Sequence, residues 1–384
     1  MALQASNTST KRPREIGIDG GSWSNRRGYG RFLRELLPEV VALRPDWRFT
    51  VFLDQPQPDT IDAPNLKWLA ARTTQSVAEA ASADGYRSPV DLLRMGQAVN
   101  RVKLDLLFFP TVFSYFPVAR RIPIIIGVHD TMADRFPQWA FDGKKNELLW
   151  RVKVKMALAQ ATRIMTVSEY SKRTIVDLFQ TNPEQIGVVS EAAASVFQPL
   201  HLTREPFLLA VGGISPNKNL DLLIRILPAL RKCRPDLRLV LVGDYTKDAF
   251  RSCYQGLRAL VDTTQMQSAV EFAGYVPDDE LAKLYNRCAA FVMPSLEEGF
   301  GLPLVEAMAC GCACVVAGGH SLEEVGGDAV VTADPRNDAA WIEALTCEEI
   351  YPALRAKAIE RAQHFTWRRG AEALVGLFEE TLAR

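Results

Sequence analysis

The chain has 384 residues and a net charge of zero, from 45 Lys and Arg against 45 Asp and Glu; 48% of its residues are hydrophobic and 23% charged. That length exceeds one ordinary core and suits two domains, and the composition excludes a disordered or membrane-embedded chain. No run of eighteen apolar residues predicts a transmembrane helix, and an odd number of cysteines, seven, argues against a disulfide framework.

Residues 1–14 lack the apolar core of a signal peptide and are expected to be a flexible tail of a cytoplasmic protein. EIGID then reads as a first strand running into Gly20 and Gly21, where two glycines let phosphates approach the backbone, and GYGRF opens a helix. Arg26, Arg27 and Arg31 either face an anionic acceptor or belong to a solvated helix start. The glycines form no GxGxxG pattern and no acid follows at the right distance, which disfavours a dinucleotide oxidoreductase. FTVFL, DLLFF, IPIIIGV, IMTV and IGVV continue as strands, with a loose Pro-, Thr-, Ala- and Asp-rich segment at 55–90. IPIIIGV ends at His129 and Asp130, the latter placed to orient the histidine or to cap a turn; His201, His320 and His364 have no comparable setting. Ser168, in TVSEYSKRTIVDLF, is a natural helix N-cap and Ser171 the next residue to satisfy free amides.

KKNELLWRVKVKMALAQ sets Lys144, Lys145, Arg151, Lys153 and Lys155 around Leu148, Leu149, Val152 and Met156. It reads either as a surface for anionic bilayers or as a helix packing its apolar stripe onto the sheet, and the packed reading is preferred. Residues 1–200 carry 26 basic against 20 acidic residues, and 201–384 carry 19 against 25. The first half therefore suits an anionic acceptor or membrane surface, or the two halves simply attract each other.

A small-residue, Pro-bearing stretch at 196–206 interrupts the pattern as a hinge would, after a domain at 15–195. FLLAV, LRLVLVG, AVEFAG, AAFVMP and CVVA then supply a second set of strands in a domain at 207–365. Strands alternating with helices predict parallel sheets with right-handed crossovers. After FLLAV, Gly212 and Gly213 allow close backbone approach, and Lys218 at a helix start suits a pyrophosphate. PSLEEGFGLPLVEAMACGCACVV places Glu298 in a glycine-rich loop and Glu306 eight residues on, one turn into a helix with Pro303 near its start. A helix N-terminus favours an anion, so these two carboxylates are left for neutral hydroxyls, such as those of ribose and sugars. Cys310, Cys312 and Cys314 read as compact apolar packing rather than a metal site. The last segment, 366–384, is a helix with an apolar stripe through Ala371, Leu374, Leu377 and Leu382.

The stretch from Val270 to Val316, with EGFGLPLVE at its centre, closely resembles the donor-binding half of the retaining glycosyltransferases of family four, which have the GT-B fold. The resemblance implies an α/β fold of two Rossmann-like domains with parallel sheets facing a central cleft, the terminal helix crossing back to the first domain. It extends to the GxGR-like GYGR, to HD at His129, to TVSE-x-S-K and to VG-x-x-x-P-x-K-N around Lys218. The family frequently has an arginine where this chain has Gly213 or Asn217, which leaves one cation fewer for the diphosphate.

By resemblance His129, Glu298 and Lys218 are catalytic. The donor is bound by Gly20, Gly21, Gly212, Gly213, Lys218, Val276, Gly299, Phe300, Gly301, Leu302 and Glu306, with Glu298 on the sugar and Glu306 on the ribose. The implied activity is transfer of mannose or glucose from a nucleoside diphosphate sugar, GDP-mannose first and UDP-glucose second, to a glycan, lipid-linked or small-molecule hydroxyl in glycan or polysaccharide biosynthesis. No D-x-D motif occurs, so no metal or other cofactor is expected, and no nucleic acid. The expected location is cytoplasmic, with peripheral contact at the inner membrane face as a variant. A GT-B phosphorylase, a sucrose-synthase-like enzyme and a non-catalytic nucleotide-sugar-binding protein remain as alternatives.

Overall fold

The computed structural model describes residues 12–25, 28–57, 59–74, 88–119, 121–244 and 252–383. Arg26, Arg27, most of the N-terminal tail and much of the segment 55–90 therefore lie outside the described residues.

Seven strands form the first sheet: β1 (Glu15–Asp19), β2 (Arg48–Leu53), β3 (Leu66–Ala70), β4 (Leu106–Phe109), β5 (Ile124–Gly127), β6 (Arg163–Thr166) and β7 (Ile186–Val188). Their order is β3-β2-β1-β4-β5-β6-β7. Six form the second: β8 (Phe207–Val211), β9 (Arg238–Val242), β10 (Val270–Gly274), β11 (Ala290–Met293), β12 (Cys314–Ala317) and β13 (Val331–Ala333), ordered β10-β9-β8-β11-β12-β13. Every pairing is parallel.

The central strands β4, β5, β11 and β12 are buried at every residue, which is why they read as unbroken apolar runs. Two strands, β3 and β13, were not among those read from the sequence. Within β3 only Leu66 is buried, because this strand lies at a sheet edge, and it falls inside the segment read from sequence as loose. The other, β13, has three residues, too few for a periodicity to show.

Strand order reverses in each sheet, between β1 and β4 and again between β8 and β11. At such a reversal the loops diverge to opposite faces and leave a crevice beyond the carboxyl ends of the strands. The loops that follow β1, β5 and β6 in the first sheet, and β8 and β11 in the second, carry the sequence motifs singled out above.

The helix Gly28–Leu43 buries Phe32, Leu33, Leu36, Leu37, Val40 and Val41 at helical spacing. Against it packs the last helix, Trp367–Leu382, although that helix follows the second domain in sequence. Gly370 lets this helix lie close to the segment after β7, because a Cβ there would meet Ser190 O at 2.8 Å. Phe378, fully buried, lies 5.5 Å from Phe108 and 6.4 Å from Trp47 between ring centroids. The connecting segment 196–206 is bonded to the second domain: Arg204 donates to Tyr285 O at 2.8 Å and to Gly311 O at 2.8 Å, and Leu200 N donates to Asn286 Oδ1 at 2.7 Å.

Cys310, Cys312 and Cys314 are buried in the core around β12. The helix Lys144–Gln160 departs from its preferred reading. It buries only Val154 and Ala157, while Leu148, Leu149, Val152 and Met156 are 61%, 42%, 47% and 43% exposed, so the stripe faces outward rather than onto the sheet. Among the described residues no helix is long and apolar enough to cross a membrane.

Candidate functional site

The loops after β8 and β11 meet at the crevice of the second sheet. Gly212 takes φ +147°, and a Cβ there would stand 3.3 Å from the Lys218 Cε, so glycine lets the lysine stem lie along the loop. Gly243, after β9, is needed as closely, since its Cβ would fall 1.9 Å from Gly212 O. Leu296 N donates to Asn217 O at 2.7 Å, and Asn219 Nδ2 donates to Pro294 O at 3.1 Å, which ties the two loops together. Asn217 is thus a buried loop residue whose Oδ1 accepts from Ser215 Oγ at 2.7 Å.

Lys218 and Glu298 come together: Nζ lies 2.5 Å from Oε1, and both side chains are mostly buried. Val211, Gly212, Gly213, Lys218, Pro294 and Ser295 line a shallow depression beside this pair. Ser295 Oγ, fully buried there, has no hydrogen-bond partner among the described residues. His320 also belongs to this region, contrary to its reading from sequence. It is buried, its Nε2 lies 2.9 Å from Ser295 O, and burial lowers its pKa. Its position in the chain, after β12, offered the same kind of signal as His129 after β5.

Glu306 lies in the helix Leu302–Ala309, entered through Gly301 at φ +97° with Pro303 in the first turn. Its carboxylate is 3% exposed and accepts from Tyr285 Oη at 3.1 Å and from Arg31 Nη1, while Arg31 Nη2 sits 2.5 Å from Asp278 Oδ1. Burial pushes Glu306 up to about 7 against the pull of Arg31. Arg31 belongs to the first domain, so the carboxylate is met across the cleft. Val276, just after β10, is half-buried against the same core. Phe300 turns its ring inward, 5.6 Å from Phe365.

On the facing side, His129 is buried with both ring nitrogens engaged. Nε2 lies 2.9 Å from Pro110 O and Nδ1 3.2 Å from Glu191 Oε1. A carbonyl only accepts, so Nε2 carries a proton and donates it, while Nδ1 faces the Glu191 carboxyl. Asp130 caps the next turn, its Oδ1 accepting from Met132 N at 2.9 Å. Tyr29 packs edge-on against His129 with centroids 4.9 Å apart, its pKa raised by burial and then by Asp130, Glu191 and Glu298. Gly20 has a packing reason of its own, because a Cβ there would meet Val51 at 2.6 Å, and the neighbouring Gly21 is buried.

The two sides touch at Gly299. A Cβ on it would fall 2.4 Å from His129 O. Ser168 Oγ donates to Gly299 O at 2.5 Å, and Ser171 Oγ lies 2.8 Å from His129 O and 3.0 Å from Gly299 O. Glu324 of the second domain accepts from Glu169 N and Tyr170 N at 2.8 Å each, capping a first-domain helix start. Arg135 and Tyr170 hold Glu297 at 2.8 and 2.9 Å. Sequence reading named Ser168 and Ser171 as caps but missed Glu297, Glu324 and Glu191, whose partners lie far away in the chain. No group of three or more potential metal ligands occurs among the described residues.

The fold has close counterparts among solved structures. Sucrose-phosphate synthase from Thermosynechococcus elongatus superposes with a TM-score of 0.74 at 17% identity, over 96% of this chain and 99% of that one. WaaG, a glycosyltransferase involved in lipopolysaccharide biosynthesis, gives 0.70 at 15% identity over 94% and 98%. The Anabaena protein HepE, crystallised with UDP-glucose, gives 0.68 at 18% over 95% and 99%. Two parallel α/β domains closing on a cleft at the carboxyl ends of both sheets define the chain as a GT-B protein. Residues 26–192 match the model of Glycosyltransferase Family 4 and residues 193–365 that of Glycosyl transferases group 1, so the chain belongs to the group 1, family 4 glycosyltransferases.

Among curated relatives, O-antigen chain mannosyltransferase B of Escherichia coli is 31% identical over 230 residues, 55% of this chain and 58% of that protein. D-inositol 3-phosphate glycosyltransferase of Acidothermus cellulolyticus is 29% identical over 248 residues, 59% of this chain and 55% of that protein. Each match spans less than two thirds of the relative's length.

Proposed function

We propose that the chain is a retaining glycosyltransferase that moves a hexosyl group, mannose before glucose, from a nucleoside diphosphate sugar to an acceptor hydroxyl without a divalent metal. The observation that carries this reading is the convergence of Lys218, Glu298 and Glu306 at one strand-order reversal, facing the His129 loop across the cleft. Mannose is placed first because several relatives are named mannosyltransferases, and glucose second because HepE was crystallised with UDP-glucose.

In this reading Lys218 and the start of the helix Leu302–Ala309 meet the diphosphate, where a cation and aligned amides stabilise the charge that develops on the leaving oxygen. Glu298 accepts from donor-sugar hydroxyls and Glu306 from the ribose. The acceptor oxygen bonds to the anomeric carbon as the bond to the phosphate oxygen breaks, on the same face, and that phosphate oxygen takes the acceptor's proton. His129, with both nitrogens committed, holds the loop on which Gly299 closes.

Calorimetric titration with GDP, UDP and ADP, followed by transfer assays with and without EDTA, tests the reading. Binding of GDP and activity that survives excess EDTA are expected. Complete loss in EDTA, restored by manganese or magnesium, overturns metal independence; binding without turnover leaves a nucleotide-sugar-binding protein, and turnover that requires inorganic phosphate leaves a phosphorylase.

A second observation bears on the acceptor. The outward stripe Leu148, Leu149, Val152 and Met156 is bordered by exposed Lys144, Lys145, Arg151 and Lys155. Its helix joins the site through ring contacts from Trp150 to Phe113 at 4.6 Å, and from Phe113 to Tyr29 at 5.0 Å. An apolar face edged by cations suits an anionic bilayer, with each basic residue contributing about 1 kcal/mol near the surface. Co-sedimentation with phosphatidylglycerol-containing vesicles at low salt is expected, weakening as salt rises. A Leu148→Asp, Val152→Asp variant that still sediments, or wild type that never does, removes the membrane from the reading.

A further inference from the structure

Arg31 was expected to face an acceptor or solvent, and in the structure it does neither. Its guanidinium, 5.6 Å above the Phe197 ring, spans the cleft to Glu306 and Asp278. Among the described residues each oxygen of Glu306 therefore has one protein donor, Arg31 on Oε1 and Tyr285 on Oε2. Each carboxylate oxygen offers about two lone-pair sites, so one on each oxygen remains for a vicinal diol.

The titratable groups that bear on this carboxylate come from every side of it. Arg31 reaches it from the first domain, Asp278 and Tyr285 from the helix Asp278–Arg287, and the Cys310 thiol stands at the end of its own helix, with Cys312 beyond. Arg204 acts on the two thiols, and among the described residues Arg31 is the cation that bonds the carboxylate itself. A carboxylate 3% exposed resists ionisation unless a cation and hydrogen-bond donors hold it.

We propose that Arg31 is a positioning residue of the donor site: supplied by the first domain, it keeps the Glu306 carboxylate ionised and aimed at the two ribose hydroxyls, so the nucleoside half of the site is complete only while the domains are closed. The proposal rests on the reading that Glu306 takes the ribose. It also gives this cleft cation a task away from the diphosphate.

The test is titration of the full chain with GDP, or with UDP if that is the diphosphate it takes, from pH 6 to 9, alongside the 2′,3′-dideoxy analogue. Arg31→Gln should weaken the normal diphosphate about tenfold at pH 7, the loss of one charge-assisted arrangement. The affinity should recover as pH rises, with a midpoint about one unit or more above that of wild type, as expected when an opposing charge is removed from beside a carboxylate. Arg31→Lys, which keeps the charge, should restore part of the affinity and most of the midpoint. The dideoxy analogue, lacking both hydroxyls, should bind Arg31→Gln and wild type alike, and Glu306→Gln should leave only the titration of the terminal phosphate, at about pH 6.

An unshifted midpoint in a folded Arg31→Gln protein overturns the proposal. An equal loss for the dideoxy analogue overturns it too, and places Arg31 on the phosphates. If wild type and Glu306→Gln bind the normal diphosphate equally, the ribose assignment itself fails, and the proposal falls with it by a separate route.

Discussion

The charged side chains singled out in the second domain are held against partners: Lys218 against Glu298, and Glu306 against Arg31 and Tyr285. Motif spacing indicated residue types suited to phosphate and to hydroxyls, but Lys218 and Glu298 lie 80 positions apart, and nothing local says that they touch. This contact changes what substitution does. Lys218→Ala should weaken the nucleoside diphosphate about tenfold or more, while the bare nucleoside binds within about twofold of wild type. Glu298→Gln releases the lysine, so free diphosphate should bind as well as or better than to wild type while turnover falls by about a hundredfold. Calorimetry and initial rates on the two variants check both statements. Weaker diphosphate binding in Glu298→Gln would remove the division of labour between sugar and phosphate.

Helix periodicity was legible where one face is buried, yet the partner of that face was not. The terminal helix shows its apolar stripe in sequence, and the structure buries Ala371, Leu374, Val375, Leu377 and Phe378 along it, against a helix more than 300 residues earlier. Phe378→Ala should destabilise the protein by about 3–5 kcal/mol, the usual cost of emptying a fully buried aromatic site. Urea unfolding followed by tryptophan fluorescence measures it, and a loss under about 1 kcal/mol would mean that the helix is not part of the first domain's core. The helix Lys144–Gln160 shows the converse, since its apolar residues suggested an inward face while Val154 and Ala157 alone are buried. Short or edge strands were the least legible, because β3 is half-exposed and β13 spans three residues.

At the scale of the whole molecule, polar links cross the cleft beside a buried apolar cluster that contains residues of both domains, Phe32 and Val167 with Phe300 and Leu322 among them. Glu324 caps the helix that starts at Glu169, Arg135 and Tyr170 hold Glu297, and Ser168 and Ser171 hold the carbonyl of Gly299. Hydrogen bonds to charged groups contribute about 1.5–3 kcal/mol each. The double variant Glu297→Ala, Glu324→Ala should therefore shift the domains toward an open arrangement by more than about tenfold in population. Small-angle scattering should show a larger radius of gyration, partly reversed by the nucleotide sugar, and transfer should slow. Unchanged scattering would show that other contacts hold the cleft closed.

Alternation of buried apolar strands with amphipathic helices was enough to set the class of fold, because parallel strands covered on both faces leave a compositional record in the central strands. Glycine-rich loops after β8 and β11, with Lys218, Glu298 and Glu306 on them, were likewise readable, since close backbone approach and a helix start demand particular residues at neighbouring positions. Tertiary structure alone decided which charges meet. Arg31 reaches Glu306 from the other domain, Glu191 meets His129 from 62 residues away, and Ser171 approaches Gly299 from 128 residues away. Each of these contacts joins segments that follow different strands, and its distance depends on how the strands are ordered and, for two of the three, on how the domains close, neither of which leaves a local trace in the chain.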